Sequence, residues 1–228
     1  MSTVLVVAAH PDDEILGVGA TIRRLVNEGH TAYALILGEG QTSRTQKRED
    51  TDASVVESLH ENTLEACDMI GYKKVYFENL PDNRFDSVDL LDIVKVVEGY
   101  VKKLEPDLIY THHMGDLNID HQCTCRAVMT ATRPMEGCPV KEIYCFETVS
   151  STEWNFDYDN NAFKPNVFIN VEKTFDVKLE AMNKYETELA KFPHPRSIRA
   201  LKAAGERWGS VCGCYYAEAF ELMRAVKR

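Results

Sequence analysis

The chain has 228 residues, enough for one α/β domain of ordinary size, 1–228, whose core needs no staples. Its 26 basic against 36 acidic side chains leave a net charge of −10, which argues against a nucleic-acid surface and weakly against anionic membranes. No apolar run approaches the roughly 20 residues that span a bilayer and no charged leader precedes an apolar segment, so the sequence reads as cytoplasmic, without membrane insertion.

Seven cysteines are present: Cys67, Cys123, Cys125, Cys138, Cys145, Cys212 and Cys214. An odd count without a secretory signal fits reduced thiols, and the Cys123-Thr-Cys125 and Cys212-Gly-Cys214 pairs lack the two-residue gap of a zinc knuckle.

In chain order, Val4 to Ala8 is a short run of β-branched and small residues bounded by a turn, as in a buried parallel strand, and Glu14 resumes helical spacing. His10-Pro11-Asp12-Asp13-Glu14 therefore stands on a strand-to-helix turn, where open α/β sheets place their ligands. His10 and Asp13 offer a nitrogen and an oxygen that suit zinc at about 2.0–2.2 Å, and Asp12 between them can point at the water instead. The competing reading makes these aspartates helix caps and His10 the filler of a strand end.

The spacing predicts a first helix over 14–27, with Ile15, Val18, Ile22, Leu25 and Val26 on one face and Gly29 ending it. Gly17 and Gly19 supply two glycines of a dinucleotide fingerprint but no third, and they fall inside the helix, so no nicotinamide cofactor is expected. Thr31 to Leu37 reads as the second strand. The loop after it carries Arg44, which either holds an anionic or hydroxyl-rich part of a substrate or is a solvated surface arginine.

A helix over 55–70 closed by Gly71 and a strand at Val75-Tyr-Phe77 come next, followed by a polar turn whose Asp82 points into the site or caps a helix over 88–104. Leu108-Ile-Tyr110 is the fourth strand. The loop beyond it, Thr111 to His121, holds His112, His113, Asp116, Asn118, Asp120 and His121 ahead of the apolar helical positions Ala127, Val128 and Ala131. His121 can supply a third metal ligand if strands one and four are neighbours, with Asp120 or Asp116 fixing its tautomer. Strand, loop and helix alternate as a parallel sheet requires, and the fold expected is three-layer α/β/α with a Rossmann-like, mostly parallel sheet.

The last third offers a strand at 167–171 and helical spacing over 173–191. Phe192-Pro193-His194-Pro195-Arg196-Ser197 then forces a break before a helix at 198–208. His194, fixed between two prolines, and Arg196 either close over a substrate or form a surface turn. Trp154 is either a sugar-stacking ring or a core residue.

Ala9-His-Pro-Asp-Asp-Glu14, followed by Asp116-x-Asn118-x-Asp120-His121, resembles the zinc-dependent N-deacetylases of the LmbE-like or PIG-L type, which remove acetyl groups from N-acetylglucosamine-containing substrates and related sugar conjugates. The similarity extends through Leu80-Pro81-Asp82 to Tyr216-Ala-Glu-Ala-Phe220. It implies Zn2+, or another divalent transition metal, held by His10, Asp13 and His121, with Asp12 as general base. It places Asp82 and Arg44 against the sugar and tilts His194 and Arg196 toward the substrate side; Asp120, beside the ligand His121, is counted with Asp12 and Asn118 in the catalytic group.

One departure matters. Many members carry His where this chain has Asn118, and an asparagine can donate to an oxyanion but cannot deliver a proton at neutral pH. The acid role then returns to Asp12 or passes to His112, His113 or His194. The expected partner is a small-molecule sugar or sugar conjugate, and homo-oligomer formation is left open. Two rival readings remain: another metal-dependent amidase or esterase on a sugar conjugate, and a non-catalytic sugar-binding relative.

Overall fold

The computed structural model describes residues 1–44, 52–156 and 161–227. Strand β1 (Thr3–Ala8) has Val4 to Ala8 wholly buried, and its side chains alternate between two separate apolar layers. Val4 and Val6 pack with Ile15, Ile22, Cys67 and Met182 on one face, while Leu5 and Val7 pack with Ile93, Val97, Ala127 and Val128 on the other. A strand buried on both sides lies between two helical layers, which is the three-layer arrangement expected.

The helices are α1 (Asp13–Leu16), α2 (Gly19–Asn27), α3 (Ala53–Ile70), α4 (Leu90–Leu104), α5 (Ile119–Ala131), α6 (Phe175–Met182) and α7 (Ile198–Cys212). The strands after β1 are β2 (Thr31–Gly38), β3 (Lys74–Leu80), β4 (Leu108–His112), β5 (Glu142–Phe146), β6 (Val167–Asn170) and β7 (Ala217–Ala225). Among the described residues they form one sheet in the order β3-β2-β1-β4-β5-β7-β6, parallel through β5 and antiparallel where β7 meets β5 and β6. In β1 and β4, Val4 lies opposite Leu108 and Val7 opposite Thr111, so the loops that follow these two strands emerge side by side. That junction is also where the strand order reverses, the place at which open α/β sheets leave a crevice.

Several elements depart from the sequence expectation. The helix predicted over 14–27 is broken after Leu16, where the Phe146 ring packs on Gly17 so closely that a Cβ there would sit 2.2 Å from Phe146 Cδ2. Helix α2 lacks a side-chain cap of its own at Val18. Its first amides are satisfied from the far end of the chain: Glu218 of β7 accepts from Ala20 and Thr21, at 3.2 and 2.7 Å, and is itself paired with the buried Lys178 ammonium. The helix predicted over 173–191 stops at Met182, because Tyr185 turns into the core with no exposed surface. Strands β5 and β7 do not stand out in the sequence, although both are central to the second half of the sheet.

Among the described residues no helix is long and apolar enough to cross a membrane. All seven cysteines are free. Cys125 lies 3.9 Å from Cys145, and Cys212 lies 3.4 Å from Cys214 beyond the last turn of α7. The contact at Gly17 yields a direct expectation. Gly17→Ala should cost about 1–3 kcal/mol of unfolding free energy, the range for overpacking a full core, read as a lowered denaturation midpoint.

Candidate active site

The loops at the carboxyl ends of β1 to β4, joined by the turn before α7, surround a cavity of about 190 Å³ whose walls include His10, Asp12, Gln41, Asp82, Asn118 and Arg196. Asn118 starts α5 by accepting the Asp120 N–H at 2.8 Å, so the cap that begins this helix also stands at the cavity wall.

Beside the cavity, three donor atoms form a nearly equilateral triangle. His10 Nδ1, Asp13 Oδ2 and His121 Nε2 are each 3.4 Å from the other two. Ligand bonds of about 2.0–2.1 Å in tetrahedral geometry give edges of about 3.3–3.4 Å, so the triangle has the dimensions of three corners of a zinc site. The other Asp13 oxygen, Oδ1, is buried without a hydrogen-bond partner, as expected of a carboxylate that needs a cation. These residues fit the metal implied by the sequence.

The outer nitrogens of both rings are held by carboxylates. His10 Nε2 lies 2.9 Å from Asp120 Oδ2 and 3.3 Å from Asp82 Oδ1, and His121 Nδ1 lies 3.1 Å from Asp116 Oδ2. A proton on those nitrogens leaves the two inward lone pairs free. Burial alone would lower His121, but the Asp13 and Asp116 carboxylates outweigh it and hold the ring at about 9, so an ion binding at Nε2 takes the place of the proton there. Burial alone would raise Asp116, yet the facing His121 and the hydroxyls of Ser151 and Thr152 bring it to about 2.

Asp12 is set apart from the triangle. Its carboxylate is bound by the Arg196 guanidinium at 2.6 Å, and Arg196 is steadied by Ser150 Oγ at 2.8 Å and by Glu188 at 3.4 Å. Burial pushes the Asp12 carboxyl well above the usual carboxylate range, with Arg196 pulling the other way. Its backbone has φ 108° and ψ −32°, a conformation side chains rarely adopt.

The remaining predicted residues fall into distinct places. Asp120 backs His10, not His121, and also accepts the N–H groups of Asn83 and Phe85 at 2.6 and 2.9 Å; Asp116 backs His121. Asp82 is bound by Ser43 at 2.7 Å and lines the cavity. Arg44 lies in a short 3-10 turn after β2, and its side chain lies outside the described residues. His194 is not among the cavity-lining residues; its Nδ1 accepts the Arg196 N–H at 3.1 Å, which braces the turn that presents Arg196.

Two of the histidines considered for the acid role point elsewhere. His112 Nε2 accepts the Ala9 N–H at 2.9 Å and burial pushes the ring down to about 3, so it is neutral and committed to joining β4 to β1. His113 pairs with Glu221 at 3.1 Å. Trp154 is 41% exposed, edge-on to His194, and so is not a core residue. Gln41 and Glu188 were not singled out in the sequence; they meet at 2.7 Å across the cavity rim, and no short motif marks a contact between residues so far apart in the chain.

The family model described as PIG-L: GlcNAc-PI de-N-acetylase matches residues 5–132. The Escherichia coli (strain K12) protein described as uncharacterized deacetylase YaiS is 30% identical over 190 residues, covering 81% of this chain and 90% of that protein. A Bacillus cereus protein described as probable N-acetyl-alpha-D-glucosaminyl L-malate deacetylase 2 is 26% identical over 90% of this chain and 93% of its own length. The structure of GalB, the 4-carboxy-2-hydroxymuconate hydratase of Pseudomonas putida KT2440, superposes with a TM-score of 0.76 at 20% identity, covering 100% of this chain and 99% of that one. A fold shared with a hydratase does not choose the reaction; the groups in the cavity must.

The geometry separates inner from outer donors experimentally. His10→Ala, Asp13→Ala and His121→Ala should each lose the bound ion on elemental analysis. Asp116→Asn should retain it with about 10–100-fold weaker affinity in a competition titration with a chelator.

Proposed function

Because this chain belongs to the PIG-L family, we propose that it is a zinc-dependent N-deacetylase that removes the acetyl group from an N-acetylated amino sugar or sugar conjugate. The observation that carries the reading is a division of labour between adjacent aspartates. Asp13 contributes to the three-donor triangle, whereas Asp12 belongs to none of the metal-capable groupings among the described residues and lines the cavity instead. A sugar-binding relative would have no need of a buried carboxylate kept outside the donor set.

His10, Asp13 and His121 would hold a divalent ion, which when bound would lower the pKa of water from 15.7 toward about 7 and polarise an acyl oxygen. Asp12 takes the proton of the attacking water. Its raised pKa suits a group that accepts a proton and then returns it to the departing amine, the role left open once His112 and His113 are committed elsewhere. Collapse of the tetrahedral intermediate breaks the C–N bond and leaves acetate and a free amine.

Asn118 Nδ2 donates one N–H to Asn83 Oδ1 at 3.1 Å, and the amide's second N–H is available for the developing oxyanion. Asp82 and Arg196, both at the cavity wall, offer an acceptor and a donor to sugar hydroxyls. Charged and hydroxyl-binding groups in a small open cavity favour a polar substrate over an apolar ester. The seven free thiols agree with a cytoplasmic setting.

Acetate release from N-acetylglucosamine and N,N′-diacetylchitobiose, measured beside the O-acetyl counterparts, tests the proposal. Turnover of an N-acetyl substrate that is abolished by chelation and restored by zinc is expected; metal-loaded protein inert on every N-acetylated amino sugar would overturn it. Asp12→Asn should lower turnover by about 10²–10⁴ with metal content unchanged. Asn118→Ala should lower it by about 10²–10³, and equal turnover in that variant would remove Asn118 from the mechanism.

A further inference from the structure

Within the run from His10 to Glu14, Glu14 neither lines the cavity nor belongs to a metal-capable grouping, yet its side chain has no exposed surface. A buried carboxylate must be satisfied by donors, and here they come from three parts of the chain, with a fourth bonding the Glu14 backbone. Oε2 accepts the backbone N–H of Asp12 at 3.0 Å; Oε1 accepts the Tyr185 hydroxyl and, at 3.6 Å, the Cys67 thiol; and the Glu14 carbonyl accepts the Tyr72 hydroxyl at 3.1 Å. Among the described residues no cation pairs with it.

The contact with Asp12 has a geometric consequence. Asp12 and Asp13 are adjacent, yet one carboxylate must face the cavity and the other the donor triangle. Successive residues of a helical first turn would project about 100° apart, and a positive φ at Asp12 swings its side chain out of that series. Such a φ is costly for any residue but glycine and persists only where its surroundings hold it. Arg196 grips the Asp12 side chain from the cavity side, and Glu14 grips its peptide N–H from below.

We propose that Glu14 is a positioning residue: its carboxylate, anchored by Tyr185 and Cys67, fixes the backbone of Asp12 and so aims the Asp12 carboxylate into the cavity. The inference rests on the reading of Asp12 as general base. It also gives a purpose to the early stop of α6, since the chain leaves the helix at Met182 and turns Tyr185 inward to reach Glu14.

The test contrasts reach with the carboxyl group. Glu14→Gln keeps an oxygen at the distance needed for the Asp12 N–H, and the Tyr185 hydroxyl can accept from its amide. Glu14→Asp keeps the carboxyl group but withdraws it by one methylene. Three readouts are taken on the metal-loaded full chain: hydrogen exchange at the Asp12 amide, metal content, and kcat and KM on N-acetylglucosamine and N,N′-diacetylchitobiose.

Expected for Glu14→Asp are faster exchange at Asp12 by at least about tenfold and a kcat lower by on the order of 10², with KM and metal content as in the wild type. Glu14→Gln should keep the amide protected and kcat within about tenfold. The reverse order, Asp12 protection and kcat unchanged in Glu14→Asp, or loss of metal from both variants alike would overturn the proposal. A wild type that releases no acetate would sink the deacetylase reading, while the exchange measurement would still decide whether Glu14 holds Asp12.

Discussion

Asp13 sits with no exposed surface at the start of α1, and its Oδ2 lies 3.4 Å from ring nitrogens of His10, His112 and His121. A charge in that place is tolerated only if the groups around it are fixed in number and protonation. His112 is excluded from competing for it because its Nε2 is already occupied by the Ala9 N–H, which leaves two imidazoles and one carboxylate turned to one point. The outer carboxylates of Asp116 and Asp120 follow from this need, since each sets which nitrogen of its histidine carries the proton.

That constraint reaches into the fold. Asp116 is held by the hydroxyls of Ser151 and Thr152, so the segment after β5 is tied to the loop after β4. Asp120 accepts the amides of Asn83 and Phe85, which ties the loop after β3 to α5. A buried acidic cluster is thereby converted into the connection between four loops. The same hydrogen bonds that lower the electrostatic cost also hold Asp82 and Asn118 at the cavity wall. Stability and site geometry are not separable here: the polar contacts that would be expensive to leave unmade are those that place side chains at the cavity wall.

The aspartate proposed as the general base is supported differently. Asp12 is gripped by an arginine from a turn far along the chain and by a glutamate two residues away, and its strained backbone keeps it apart from its neighbour. Its burial favours the protonated form while Arg196 favours the charged one, the balance wanted in a carboxyl that takes a proton and gives it back. The cavity has an arginine, three carboxylates and two asparagines at its wall, the polar lining on which the proposed hydroxyl-rich substrate rests.

The sequence by itself determined the parallel half of the sheet and the family. Runs such as Val4 to Ala8 carry their burial in their composition, Gly71 marks a helix end through its own left-handed backbone, and the two acidic motifs sit directly after strands, where local order is enough to locate them. It also brought forward His10, Asp13 and His121 as candidate donors, because they lie on the segments that follow β1 and β4. What only the tertiary structure decided depends on contacts between distant segments. Which aspartate backs which histidine turns on the way α5 leans on the loop after β3. The break after Leu16 depends on Phe146, and the cap of α2 comes from Glu218, neither of which is near in sequence. His112 and His113 look like free functional groups in the sequence because nothing local shows that Ala9 and Glu221 occupy them. Spacing along a chain reports periodicity and turns, but a hydrogen-bond partner more than a hundred residues away leaves no such trace, and those partners are what separate a working side chain from a structural one.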